Sequence, residues 1–190
     1  DENAEVMLQT ISQAHENRLK KTEKRIRFLK EDFGFTFQQK DIDTIFEKEN
    51  PGRPHIANLM VRYGFVKSIN EAMDQYLNKK VFPDVYIDPK TAIAAIRKSG
   101  GISVLAHPSF GDGNQLIRGE EMNRRLKRLT EYGLGGVEAY YPGFSSNLVQ
   151  EMLDFAETYD LYVTAGSDYH GKNKSIRLGK TNLKSVSAGA

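Results

Sequence analysis

The 190-residue chain has no cysteine. Disulfides, thiolate metal sites and thiol nucleophiles are therefore excluded, and a reducing compartment is compatible with the composition. No run of about 18 apolar residues is present, so no membrane-spanning helix is encoded, and no signal-like apolar stretch opens the chain. These absences set the expectation of a cytoplasmic protein. No G-x-S-x-G elbow supports a serine nucleophile. Gly111-Asp112-Gly113-Asn114 is not a phosphate loop, because no Gly-Lys-Ser/Thr follows it; it reads as a mobile loop beside a site. There is no internal repeat or low-complexity segment, and the tail from Ser185 to Ala190 reads as frayed. The formal charge of +2 says little about partners by itself. With 39% hydrophobic and 27% charged residues, the chain has the composition of an ordinary globular protein of one domain or one and a half.

The pattern changes near Phe82-Pro83-Asp84. Before that point it is helical. Leu8, Ile11, His15, Leu19, Thr22, Ile26 and Leu29 recur every three or four residues, one stripe of a long helix that ends at Phe33-Gly34-Phe35. A second helix is expected around Asp41 to Lys48 and a third over His55 to Tyr63, closed by Gly64. Ser68-Ile69-Asn70-Glu71 is a capping-box signature for a fourth. After the change, strands and helices alternate. Asp88-Pro89 opens a helix to Lys98, and strands over 102–106, 137–140 and 161–166 enclose helices over 120–132 and 146–159. Such alternation implies parallel strands and right-handed crossovers.

Chemistry gathers at two of those strand ends. Leu161-Tyr162-Val163-Thr164-Ala165 leads into Gly166-Ser167-Asp168-Tyr169-His170-Gly171, and Ile102-Ser103-Val104-Leu105-Ala106 leads into His107-Pro108. Side chains two apart on a strand share a face, so Asp168 and His170 are expected side by side. A carboxylate and imidazoles at neighbouring strand ends suit a divalent metal, since such ends converge on one site in α/β folds. The bland alternative is that each is a hydrogen-bonded structural residue; their repetition on successive β/α units favours the metal. With serine and thiol chemistry unsupported, metal-activated water is the mechanism best supported. The seven Lys or Arg between Arg18 and Lys30 could track phosphates, but without interleaved aromatics they read as a solvated helix face. His15 reads as packing on the helix stripe, and Glu138 as a supporting residue rather than a ligand.

Val104-Leu105-Ala106-His107-Pro108, Gly136-Val137-Glu138-Ala139-Tyr140 and Gly166-Ser167-Asp168-Tyr169-His170-Gly171, in that order, resemble the C-terminal half of a PHP (polymerase and histidinol phosphatase) domain. Arg53-Pro54-His55-Ile56-Ala57, Gly64-Phe65-Val66 and Tyr76-Leu77 resemble the helical insert of its TrpH-like branch. The resemblance runs from about Arg18 to Gly179. It implies an α/β fold, with residues 1–81 a helical cap or insert and residues 82–190 the C-terminal half of a distorted barrel of parallel strands. It implies a metal-dependent phosphoesterase acting on nucleotides or short RNA. His107, Asp168 and His170 would be metal ligands, and Arg53 and His55 would bind substrate. Two or three Zn, Mn or Fe ions are expected in an intact domain. The H-x-H strand and the other ligands that open such a domain have no counterpart here. The chain accordingly reads as a fragment with a half-built site, inactive alone and prone to self-association through an open barrel edge. Two other classes fit less well: a non-catalytic PHP-like binding or regulatory module, and an amidohydrolase-type metal hydrolase, which would want a Lys at a strand end.

Overall fold

The computed structural model describes residues 2–83, 86–110, 116–171 and 175–183. The Gly111–Asn114 loop and the tail from Ser185 lie outside the described residues. The chain divides into two compact units, Asp1–Asp88 and Pro89–Ala190.

The first unit is helical. Helix α1 (Glu2–Phe33) ends where Gly34 takes φ +72°, a left-handed cap suited to glycine. Helices α2 (Gln39–Phe46), α3 (Arg53–Arg62) and α4 (Ile69–Ala72) follow, and α4 runs on into a π-helical turn, Met73–Leu77. The core of this unit is Leu29, Ile45, Ile56, Met60, Val66 and Leu77 with their neighbours, walled by the stacked rings of Phe35 and Phe65, whose centroids are 4.5 Å apart. The α1 stripe buries only its second half. Thr22 and Leu29 are fully enclosed, whereas Leu8 and Ile11 remain 64% and 52% exposed. His15 is exposed and bonds the Glu49 carbonyl at 3.1 Å instead of packing. Phe82 packs with Phe28, and Lys21 sits 3.3 Å above the Tyr86 ring, so this stretch stays with the helices as far as Asp88. Arg25 is buried beside Phe82 and Arg27 pairs with Glu23, so part of the basic run serves the unit's own packing.

The fourth helix starts as its sequence implies. Ser68 Oγ accepts from the Glu71 N–H at 3.1 Å, while the Glu71 carboxylate reaches back to the Lys67 N–H at 2.7 Å, one residue earlier than a standard capping box. Replacing Ser68 by alanine orphans the Glu71 N–H. It should cost about 1 kcal/mol, read as a lower urea midpoint for the helical unit.

The second unit is α/β with parallel strands. Pro89 is the first residue of α5 (Pro89–Lys98), where a missing N–H costs nothing. Strand β1 (Val104–Leu105), helix α6 (Gly119–Glu131), β2 (Gly136–Tyr140), α7 (Ser146–Thr158) and β3 (Tyr162–Ala165) complete it. The described strands form one sheet in the order β1-β2-β3, both pairs parallel. Strand β2 is central and enclosed along most of its length, while β1 and β3 are edges with Val104 and Tyr162 exposed. Val137 and Ala139 face a core of Ile93, Met122, Leu126, Leu148 and Met152. Glu138 therefore faces the opposite side of the sheet, by strand alternation. No helix among the described residues is long and apolar enough to cross a membrane.

Candidate metal centre

His107 follows β1 by two residues and lies in the left-handed region at φ +32°. Asp168 follows β3 by three residues and is also left-handed, at φ +48°. Neither is glycine, and an isolated left-handed residue of this kind is held by its surroundings at some energetic cost. The strand thus ends before the Asp and His, and alternation does not bring them together; a turn does. His170 Nδ1 lies 3.3 Å from Asp168 Oδ1 and 2.7 Å from the Asp168 carbonyl oxygen. Asp168 is mostly shielded, while His170 is about half exposed.

Tyr141, the first residue beyond β2, joins the strand ends. Its hydroxyl donates to Asp168 Oδ2 at 3.4 Å, and its ring centroid lies 5.5 Å from that of His107. No motif singles it out, and its position just past a strand end is the signal that marks it. Glu138, in the middle of β2, accepts at Oε2 from the His107 backbone N–H at 2.6 Å.

Two imidazoles and a carboxylate are the right donor chemistry for a borderline divalent ion. The arrangement is incomplete. Among the described residues, no group of three or more His, Asp or Glu is placed to hold an ion. Asp168 and His170 lie side by side, and His107 is not grouped with them. The left-handed turns explain this, because they aim each donor by loop conformation rather than by a common strand face.

A cavity of about 750 Å³ includes His107 in its lining, together with apolar Leu105, Phe110 and Met122 and the cationic Arg125 and Arg128. Arg125 and Arg124 both bind Glu121, and the Arg125 bond, then the Arg124 bond, hold that carboxyl below its ordinary range. Arg128 makes no ion pair among the described residues.

In the helical unit, Arg53 and His55 part company. Arg53 Nη1 donates to Asn78 Oδ1 at 2.6 Å, just past the π turn. His55 instead lines a cavity of about 210 Å³ with Lys48, Asn58, Arg62 and Asp41. The buried His55 Nδ1 has no hydrogen-bond partner. Burial first, and then repulsion from Lys48, push its pKa below 6.5. Opposite it, the Tyr63 hydroxyl, and then Arg62 at 2.5 Å, hold Asp41 below its usual range. The sign for His55 follows from linkage: below pH 6.5 the unfolded chain takes up a proton that the folded state resists, so stability falls as pH falls. Relative to wild type, His55→Gln should flatten the loss of stability below that pH, measured by urea unfolding at stepped pH.

No family model matches the chain. It is similar to a 5′–3′ exoribonuclease of Haemophilus influenzae, 30% identical over 131 residues, which are 67% of this chain and 46% of that protein. It is also similar to a phosphoribosyl 1,2-cyclic phosphate 1,2-diphosphodiesterase of Eggerthella lenta, 37% identical over 87 residues, 46% of this chain and 30% of that protein. Among solved structures, a candidate metal-dependent phosphoesterase of Bifidobacterium adolescentis superposes with a TM-score of 0.69 at 29% identity, over 89% of this chain and 59% of that one. An amidohydrolase of Chromobacterium violaceum, solved with sulfate and without metal, superposes with a TM-score of 0.70 over 95% of this chain and 62% of that one; at 24% identity it speaks for the fold alone. The chain spans less than half the length of these curated relatives, at 30% and 46%. The proteins it is similar to are thus a cyclic phosphate diphosphodiesterase, an exoribonuclease and a candidate metal-dependent phosphoesterase.

Proposed function

We propose that this chain carries part of the centre of a metal-dependent phosphoesterase of the PHP type, acting in the cytoplasm on nucleotides or short RNA. The observation that carries the reading is the meeting of His107, Tyr141, Asp168 and His170 at the C-terminal ends of three parallel strands. In α/β sheets ligands bind at that edge. The relatives' phosphodiester substrates, and the donor chemistry, point the same way.

His107, Asp168 and His170 would hold Zn, Mn or Fe, two or three ions in an intact domain with further ligands. Bound there, the metal would supply Lewis acidity and a water of lowered pKa. The rest falls to the chain's own side chains. Tyr141 orients the Asp168 carboxylate by donating to Oδ2, leaving Oδ1 toward His170. The cavity that His107 lines has the size of small-ligand sites, with apolar lining for a base and Arg128 for a phosphate. Residues 1–81 would serve as the cap or insert and 82–190 as the C-terminal barrel half, with Arg53 and His55 as substrate-binding residues. The unpartnered His55 Nδ1 beside Lys48 and Arg62 supports an anion there. The exposed edge at Ile102 and Val104 would pair with further strands or a second copy, which size-exclusion chromatography with light scattering would register as a dimer.

The test is Mn²⁺- or Zn²⁺-dependent binding of a 3′,5′-bisphosphonucleotide, followed by calorimetry, with hydrolysis measured in the same samples. Binding that needs metal and disappears in Asp168→Asn, with little turnover by the incomplete ligand set, is the expected result. Nucleotide binding indifferent to both metal and Asp168 overturns the reading, and robust turnover by a clean monomer overturns the ligand count.

A further inference from the structure

We propose that Glu138 is a positioning residue: one carboxylate, set in the central strand, fixes the turn bearing His107 against the β3 exit that leads to Asp168 and His170. Its functional consequence rests on the metal-site reading above, and the test below separates the two.

Glu138 lies in the middle of β2 and is 9% exposed. A carboxylate at such a position is costly unless its oxygens are bonded. Both oxygens have specific neighbours. Oε2 accepts from the His107 N–H at 2.6 Å, a short charge-assisted bond to the backbone of one candidate donor. Oε1 occupies the space where a Cβ on Gly166 would sit. Gly166 is not left-handed, so here glycine answers to space rather than to backbone angle. The Gly166 N–H donates to the Tyr140 carbonyl at 3.0 Å, which holds the β3 exit against the same strand.

One carboxylate therefore touches the backbone of both exits. No ion pair to Glu138 exists among the described residues, so its charge is answered by backbone N–H rather than by a cation. His107 gains most from this. Its left-handed backbone is unfavourable for a residue with a Cβ, and the bond to its N–H is what holds that conformation. Glu138 is not itself offered as a ligand, because Oε2 is committed to the His107 amide. Residues that orient ligands in this way usually matter about as much as the ligands.

The experiment compares Glu138→Ala, Glu138→Gln and Gly166→Ala with wild type in the full chain. Two readouts are taken: the chemical shift and hydrogen exchange of the His107 backbone amide by ¹⁵N NMR, and Zn²⁺ affinity by calorimetry. Glu138→Ala should speed exchange at His107 by at least roughly tenfold and weaken Zn²⁺ binding by about 10–100-fold. Glu138→Gln, whose amide oxygen can accept the same bond, should keep most of the protection. Gly166→Ala should reproduce the alanine phenotype with Glu138 still present, because the new Cβ displaces the carboxylate. It also covers the case in which Glu138→Ala fails to fold. A His107 amide unchanged in a folded Glu138→Ala or Gly166→Ala chain overturns the proposal. If wild type takes up no Zn²⁺, the metal reading fails and the His107 amide alone decides the role of Glu138.

Discussion

Asp168→Ala should weaken divalent-metal binding by roughly a hundredfold, while the α/β unit melts within a few degrees of wild type. Asp168 is the one carboxylate among the three proposed ligands, so it brings most of the electrostatic attraction for a cation. It is also the residue that the others organise. Tyr141 donates to one of its oxygens, and the His170 ring lies against the other. Its side chain lies beyond the strand and away from the hydrophobic core, so its loss leaves no cavity there. Asp168→Asn keeps the shape and removes the charge, and should lose nearly as much affinity. Retention of wild-type affinity in both variants would make Asp168 a structural residue of its turn.

Leu126→Ala should have the largest effect on stability, about 2–5 kcal/mol, by removing a large, fully buried side chain and leaving a cavity. Leu126 is fully enclosed on α6, in the same cluster as Met122, Val137, Ala139 and Met152, which are equally inaccessible. That cluster supports the side of β2 opposite Glu138. The destabilised unit should therefore loosen the His107 turn as well, and lose metal affinity in proportion to the unfolded fraction. Urea unfolding measures the first effect. A cost below 1 kcal/mol would mean that the sheet does not depend on this helix.

Much of the architecture is legible from local chemistry. Pro89 marks the start of α5, Ser68 that of α4, and the apolar runs around Val137 and Val163 give parallel strands, because each signal acts within a few residues. The first half of α1 misleads. Leu8 and Ile11 continue the helical period and yet stay more than half exposed, since periodicity records a face and not its partner. The candidate site is legible in its membership and less so in its geometry. His107, Asp168 and His170 can be picked out by position, but the left-handed conformations of His107 and Asp168 fall on residues that are not glycine and so are not announced by the sequence. The Glu138 bond to His107 spans 31 residues and the Tyr141 bond to Asp168 spans 27, separations at which no local pattern speaks. The parting of Arg53 and His55 depends on Asn78, placed by a π turn that the helical period of Ile69 to Leu77 does not reveal.

The central claim is that the β1 and β3 exits form a metal site. Calorimetric titration of the full chain with Zn²⁺ and Mn²⁺, beside the triple variant His107→Ala, Asp168→Asn, His170→Ala, tests it most directly. The account predicts saturable uptake by the wild type, weaker than in a complete site, and none by the triple variant. A wild-type chain that takes up no ion, or a triple variant that binds as tightly as wild type, would contradict it.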